Sequence, residues 1–268
     1  MSGRLVVCAT PIGNLDDVTA RVLDALRAAD VVACEDTRHT RTLLQRFAID
    51  VPTVSLHEHN EAARSVELLE RVRGGALVAL VSDAGMPVIS DPGGRLVAAA
   101  RDAGLPVEVR PGASAPVAAV AVAGIPVDRW RFVGFLPRRA SELLELLDRD
   151  EATVAFESPK RLPATLRAIA DADPSRVVAV CRELTKLHEE VVRGPAGEVA
   201  ARFADGARGE ITLVVAAAPA GQGDLGPALD AVRRLVEDGA RARTASRVVG
   251  ELTGVPANDL YRALHATG

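Results

Sequence analysis

The feature that most constrains this chain is an alternation. Short apolar runs of strand length are separated, again and again, by stretches carrying Leu, Val or Ala at three-to-four spacing. Strand-like runs fall at residues 5–7 (LVV), 31–34 (VVAC), 53–56 (TVSL), 76–81 (ALVALV) and 107–110 (VEVR), with helix-period segments at 17–29, 40–47, 61–73 and 96–103. Strands alternating with helices build a mostly parallel α/β sheet. Ligands of such sheets bind beyond the carboxyl ends of the strands, and the Gly/Pro/Asp-rich stretches ATPIGN, SDAGMPVISDPGG and RPGASA each follow a strand directly. Three loops therefore point to one edge. A second set of runs follows at 131–136 (RFVGFL), 153–156 (TVAF), 177–181 (VVAVC), 189–194 (EEVVRG) and 210–215 (EITLVV), some close enough in sequence to pair antiparallel.

The expected architecture is α/β, with a parallel-rich N-terminal domain over 1–126 and a mixed second α/β domain over 127–218 that completes a cleft. PAGQGDLGP, 219–227, reads as a linker. The rest of 219–268 carries three short helical patterns at a spacing compatible with a helix-turn-helix-like unit.

With 268 residues, 48% of them hydrophobic, the chain can bury a substantial core. The longest nearly unbroken apolar run, 115–127, is 13 residues, too short to cross a bilayer. MSGRLVVCATPIG does not have the layout of a signal peptide, so the expectation is a cytoplasmic protein without a membrane segment. Cys8, Cys34 and Cys181 lie far apart, which suggests neither a disulfide framework nor a metal-binding pair. A net charge of −4 gives no whole-molecule attraction to nucleic acid, so RNA contacts would come from local clusters of Arg, which supplies 30 of the 32 basic residues. Lys occurs only at Lys160 and Lys186, so SDAGMPVISDPGG, 82–94, is no P-loop despite its glycines.

Taken alone, each motif has a bland reading beside a functional one. ATPIGNLDD sets Pro11 and Gly13 after the first strand, with Asp16 or Asp17 as cap of the next helix, and a tight turn needs no ligand. In CEDTRHTRTLL, Glu35, Asp36, Arg38, His39 and Arg41 crowd a helix start. Carboxylates suit the helix dipole there and arginines do not, so a salt-bridged entry and a phosphate or ribose site both stay open. SLHEHNEAA places His57 and His59 at strand spacing with Asn60 as helix cap, but no third ligand is nearby, so no metal is expected. FESPKRL and CRELTKLHEE gather Glu157, Lys160, Arg161, Arg182, Glu183, Thr185 and Lys186 beside strand ends, either as solvated connections or as a site.

Together, ATPIGNLDDVTARVLDALRAADVVACEDTRHTRTLL, LHEHNE, LVSDAGMPVISDPG, RPGASA, GIPVDRWRFVGFLPR, FESPKRL and CRELTK run in order over about residues 5–216. They resemble the ribosomal RNA small subunit methyltransferase I family of the tetrapyrrole methylase superfamily. EDTRHT with SDAGMPVISDPG is the specific pair. The resemblance implies S-adenosylmethionine as methyl donor in a cleft between two α/β domains, a homodimer, and 2'-O-methylation of a cytidine in the decoding region of 16S rRNA within the small ribosomal subunit. It places cofactor contacts at Pro11, Val81, Ser82, Asp83, Met86, Ser114, Ala115, Glu157 and, at backbone level, Leu184. The superfamily's sister enzymes carry Gly-Gly-Asp-Pro where this chain has Val81-Ser82-Asp83-Ala84, so that stretch rests mainly on Asp83. It leaves the proton acceptor open: the candidates are Glu35 and Asp36, then Glu183 and Lys186, the last requiring a pKa lowered by burial. Arg38, His57, Asn60, Lys160 and Arg161 are the candidate RNA contacts. Rival readings are a methylase of tetrapyrrole ring carbon and a non-catalytic cofactor sensor.

Overall fold

The computed structural model describes residues 3–218 and 225–265. The first sheet contains β1 (Arg4–Cys8), β2 (Val31–Cys34), β3 (Thr53–Ser55), β4 (Leu77–Leu80) and β5 (Val107–Arg110), in the spatial order β3-β2-β4-β1-β5 with every pairing parallel. β1, β2 and β4 read as unbroken apolar runs because helices cover both faces of a parallel sheet. On one side Val6, Cys8, Val32 and Ala79 pack against α1 (Ala20–Ala28) and α2 (Thr37–Arg46); on the other Leu5, Val7, Val31 and Val78 pack against α3 (Glu61–Arg73) and α4 (Gly94–Asp102).

The second sheet contains β6 (Trp130–Phe135), β7 (Ala152–Glu157), β8 (Val177–Arg182), β9 (Glu190–Pro195) and β10 (Ile211–Val215), ordered β6-β7-β10-β8-β9, with β6 parallel to β7 and the rest antiparallel. One face is covered by α6 (Ala140–Leu147), α7 (Leu162–Ala172) and α8 (Ala196–Arg202), through a core that includes Leu162, Leu166, Val180 and Leu213. The other face receives α5 (Ala115–Val122), which is apolar almost all round. Ala119 and Ala123 pack there with Val154, Ala179 and Val214, and Ile12 and Leu184 join the same cluster from the loops after β1 and β8. This layer is what holds the carboxyl edge of the first sheet against the second.

Several local expectations change. Neither Asp16 nor Asp17 caps α1: Asn14 caps a short 3₁₀ turn over Leu15–Asp17, and Thr19 Oγ1 accepts from Val22 N at the start of the helix. Residues 225–227, read as linker, already belong to α9 (Leu225–Glu237), since Pro227 is tolerated in a first turn where N–H groups lack partners; residues 219–224 of that stretch lie outside the described residues. α9, α10 (Ala242–Thr253) and α11 (Ala257–His265) share a small core of Ala228, Val232, Val249, Val255 and Leu260. Gly254, at φ 74°, turns the chain between α10 and α11. Among the described residues no helix is long and apolar enough to cross a membrane.

Candidate active site

The order β3-β2-β4-β1-β5 brings the loops after β1 and β4 side by side at the centre of the carboxyl edge, and there they are laced together. Thr10 and Gly85 exchange backbone hydrogen bonds of 2.8 and 3.1 Å, Thr10 Oγ1 donates to the Ser82 carbonyl at 3.0 Å, and Ser82 Oγ donates to the Gly85 carbonyl at 2.9 Å. Gly85 is left-handed (φ 79°), and a Cβ there would lie 3.3 Å from the Ile12 side chain. From the opposite side the loop after β8 closes on the loop after β1: Asn14 N donates to Thr185 Oγ1 at 3.0 Å, and a Cβ on Gly13 would meet Lys186 Cγ at 2.5 Å and the Leu184 carbonyl at 2.9 Å.

Between these walls lies a cavity of about 460 Å³, within the range of roughly 300–1,000 Å³ used by small-molecule sites. The first sheet lends it Ile12, Asp83, Met86, Asp91, Ser114 and Ala115; the second lends Phe135, Phe156, Glu157, Leu184 and the run 209–212. Phe156 stacks edge-to-face with Phe132 and Phe135 at centroid distances of 4.9 and 5.6 Å, which gives the second-sheet wall an aromatic surface.

Of the nine residues expected at a cofactor, Asp83, Met86, Ser114, Ala115, Glu157 and Leu184 meet in this cavity. Pro11 and Ser82 instead line a separate recess of about 100 Å³ on the other side of the Thr10 ladder, shared with Asp83 and with His39 of α2. Val81 is buried in the core beneath the α1–α2 layer. Ile12, Asp91, Phe135, Phe156 and the 209–212 run also line the larger cavity. Only the loop position of Asp91 signalled it; the rest depend on how the two sheets face each other.

The charged candidates differ sharply in their partners. Asp36 caps α2, accepting from Arg38 N at 2.8 Å and pairing with the Arg38 guanidinium at 2.8 Å, which holds its carboxyl down at about 2. Arg38 is thereby engaged, and Asp36 is a weak proton acceptor. Among the described residues Glu35 has no such partner; burial, and then the charge of Asp83, raise its pKa. Glu183 Oε1 accepts from Glu210 N at 2.8 Å and from Lys186 Nζ at 2.9 Å, and these bonds lower its pKa. Lys186 also reaches Glu210 at 3.1 Å. Burial pulls the Lys186 pKa down, but the bonds to Glu183 and Glu210 outweigh it and the net shift is upward, opposite to the lowered value that a base role for Lys186 requires. Glu183 and Lys186 therefore tie the loop after β8 to the entry of β10.

Glu157 is buried with its carboxylate fully used, accepting from Ser158 N and Thr165 Oγ1 at 2.6 Å each and pairing with Arg161 at 2.5 Å. Arg161 spends its other nitrogen on the Leu136 carbonyl. Lys160 is exposed. His57 and His59 sit in the turn after β3 rather than at strand spacing, with ring centroids 6.0 Å apart. Asn60 braces that turn, accepting from His57 N and donating to the Ser55 carbonyl, and makes no side-chain cap of α3. No cluster of three or more metal-ligating side chains occurs among the described residues.

The arrangement fits a nucleoside with a cationic sulfur: apolar and aromatic walls for the base, small residues at Gly85 and Ala115 for close approach, and carboxylates for the positive charge. Known proteins agree on the class. Residues 4–200 match the family described as Tetrapyrrole (Corrin/Porphyrin) Methylases. The methyltransferase CobJ superimposes with a TM-score of 0.62 at 22% identity, covering 81% of this chain and 95% of that one. A uroporphyrin-III C-methyltransferase from Thermus thermophilus, solved with S-adenosyl homocysteine, gives 0.57 at 19%, covering 79% and 96%. The fold is thus that of the tetrapyrrole methylases.

Within that class the sequence is more specific. It is 45% identical to the ribosomal RNA small subunit methyltransferase I of Micromonospora olivasterospora over 97% of this chain and 86% of that one. The enzyme of the same name from Mycobacterium tuberculosis is also 45% identical, over 98% and 95%. The chain belongs to the ribosomal RNA small subunit methyltransferase I family.

Proposed function

We propose that the protein transfers a methyl group from S-adenosylmethionine to the ribose 2'-oxygen of a cytidine in the decoding region of 16S rRNA, acting on the small ribosomal subunit in the cytoplasm as a homodimer of two α/β domains, 1–126 and 127–218, with a helical tail. The observation that carries this reading is one cavity, built by both sheets, in a chain so similar along its length to rRNA methyltransferases. When bound, the cofactor supplies an electrophilic methyl group on a sulfonium. Asp83 and Met86 of the first-sheet wall, with Ser114 and Ala115 at the N-terminus of α5, would hold that cofactor. Alignment of nucleophile and methyl carbon accounts for much of the rate in such displacements, at effective molarities of about 10⁵ M or more. Lys160, exposed and next in sequence to Pro159 of the cavity lining, and the Arg residues of the surrounding loops offer phosphate contacts for an RNA whose target nucleotide has left its stack.

The test is to incubate the protein with labelled methyl donor and small subunits from a strain lacking the modification, and to map the label. Label on one cytidine ribose is the expected result; label on a base, or none, removes the reading.

A further inference from the structure

Four carboxylates line the cavity, and three are occupied. Asp83 Oδ1 accepts from Asp36 N at 3.1 Å, Glu157 holds Ser158, Thr165 and Arg161, and Glu210 holds Lys186. Asp91 is the exception: among the described residues no hydrogen bond or ion pair reaches its carboxylate, although it is partly buried. The loop that presents it is held on its C-terminal side and lies close to β6 on the other. Gly93, with φ 118°, and Arg95 donate their backbone N–H groups to the buried Glu61 carboxylate of α3 at 2.9 Å each. Ser90, also left-handed at φ 67°, packs where a Cβ on Gly134 of β6 would lie 3.5 Å from its hydroxyl. Asp91 therefore sits on a braced turn, facing the same space as Asp83 and Met86, with free lone pairs.

We infer that Asp91 is the proton acceptor for the RNA hydroxyl. The inference rests on the 2'-O-methylation proposed above. In the step, the ribose O–H bond breaks and its proton passes to a carboxylate oxygen of Asp91. The hydroxyl oxygen uses an electron pair to bond the methyl carbon, and the carbon–sulfur pair returns to sulfur, leaving a neutral thioether and a protonated Asp91 that releases its proton to water. Electrostatics suit the task. Burial, and then the charges of Glu35 and Asp83, push the Asp91 carboxyl up to about 6, so it is mostly ionised at pH 7 yet more basic than an ordinary carboxylate. Glu157 and Glu210 share the cavity from the second sheet; Glu157 is paired with Arg161, and Glu210 shares Lys186 with Glu183.

The test combines Asp91→Asn, Asp91→Glu and Glu35→Gln. In cofactor-free protein, the Asp91 carboxyl followed by carbon NMR should titrate near pH 6, and Glu35→Gln should move that midpoint lower. In single-turnover transfer to small subunits, the wild-type rate should rise with pH through a midpoint lower than that of the cofactor-free protein, because the sulfonium charge favours the ionised carboxylate. Asp91→Asn should lose about 10²- to 10⁴-fold in rate and lose that pH limb, while binding the cofactor within threefold of wild type; Asp91→Glu should recover part of the rate. Three results would overturn the inference: a folded Asp91→Asn within threefold of the wild-type rate, an Asp91→Asn defect confined to cofactor affinity, or an Asp91 midpoint at the ordinary aspartate value. If wild type itself places no label on ribose, the functional reading fails first and the assignment of Asp91 goes with it.

Discussion

At the scale of single residues, the site separates carboxylates that hold structure from those left free. Glu157 sits in the cavity wall but has both carboxylate oxygens engaged, by Ser158, Thr165 and Arg161. Asp91 has no such partner among the described residues and so carries a stability cost. Its folded pKa, about 6, lies above the ordinary aspartate value of 3.8, so the fold binds its proton more tightly than the unfolded chain does. Relative stability is then highest below about pH 4 and falls as pH rises toward 6. Discounted for partial solvation, the cost at pH 7 is on the order of 1 kcal/mol. Asp91→Asn should therefore raise unfolding stability by that amount at pH 7 and by almost nothing at pH 4, as read from urea melts at the two pH values. An equal gain at both would show that solvent already satisfies the carboxylate.

At the scale of elements, the loops are set by contacts between helices and strands distant in sequence. The Glu61 side chain of α3 caps α4 across about thirty residues of chain, satisfying the buried N–H of Gly93 and the partly buried N–H of Arg95. Glu61→Ala should cost about 1–3 kcal/mol of stability and loosen the turn carrying Asp91, so hydrogen exchange at residues 93–95 should speed up more than exchange in β4. Protection that stays uniform would place the cap elsewhere. The strands were legible in the sequence because period and apolar content agree with burial on both faces of a parallel sheet. Asn14 and Thr19 were not, since an intervening 3₁₀ turn displaces the helix start from the two Asp residues that look like caps. The family motifs gathered six of nine cofactor candidates into one cavity, whereas Pro11 and Ser82 line the recess beside the Thr10–Gly85 ladder and Val81 is buried in the core of the first sheet. Phe135 and Phe156 escaped notice because nothing in their local pattern says that β6 and β7 face SDAGMP.

At the scale of the whole molecule, the cavity draws its walls from both sheets, so a ligand there couples them. S-adenosylmethionine at a hundredfold excess over its Kd should stabilise the native state by about 2.7 kcal/mol, a rise in Tm of roughly 5–10 °C for a chain of this size. Gly13→Ala, which has no room for its Cβ between Lys186 and the Leu184 carbonyl, should shrink that rise by forcing the loops after β1 and β8 apart. A full shift in the variant, read by calorimetry, would show that the cofactor does not need the two loops docked.

The three cysteines lie on both sides of that junction. Cys8 and Cys34 are buried in the first sheet and Cys181 in the second, beside the cavity, with none in a disulfide. Burial pushes Cys8 up to about 12 and Cys181 up to about 11, so in the native state neither offers a thiolate for alkylation. The protein thus contains its own opening clock in each half. Pulse alkylation resolved by peptide mass, without any engineered probe, would show whether the halves come apart together or in sequence.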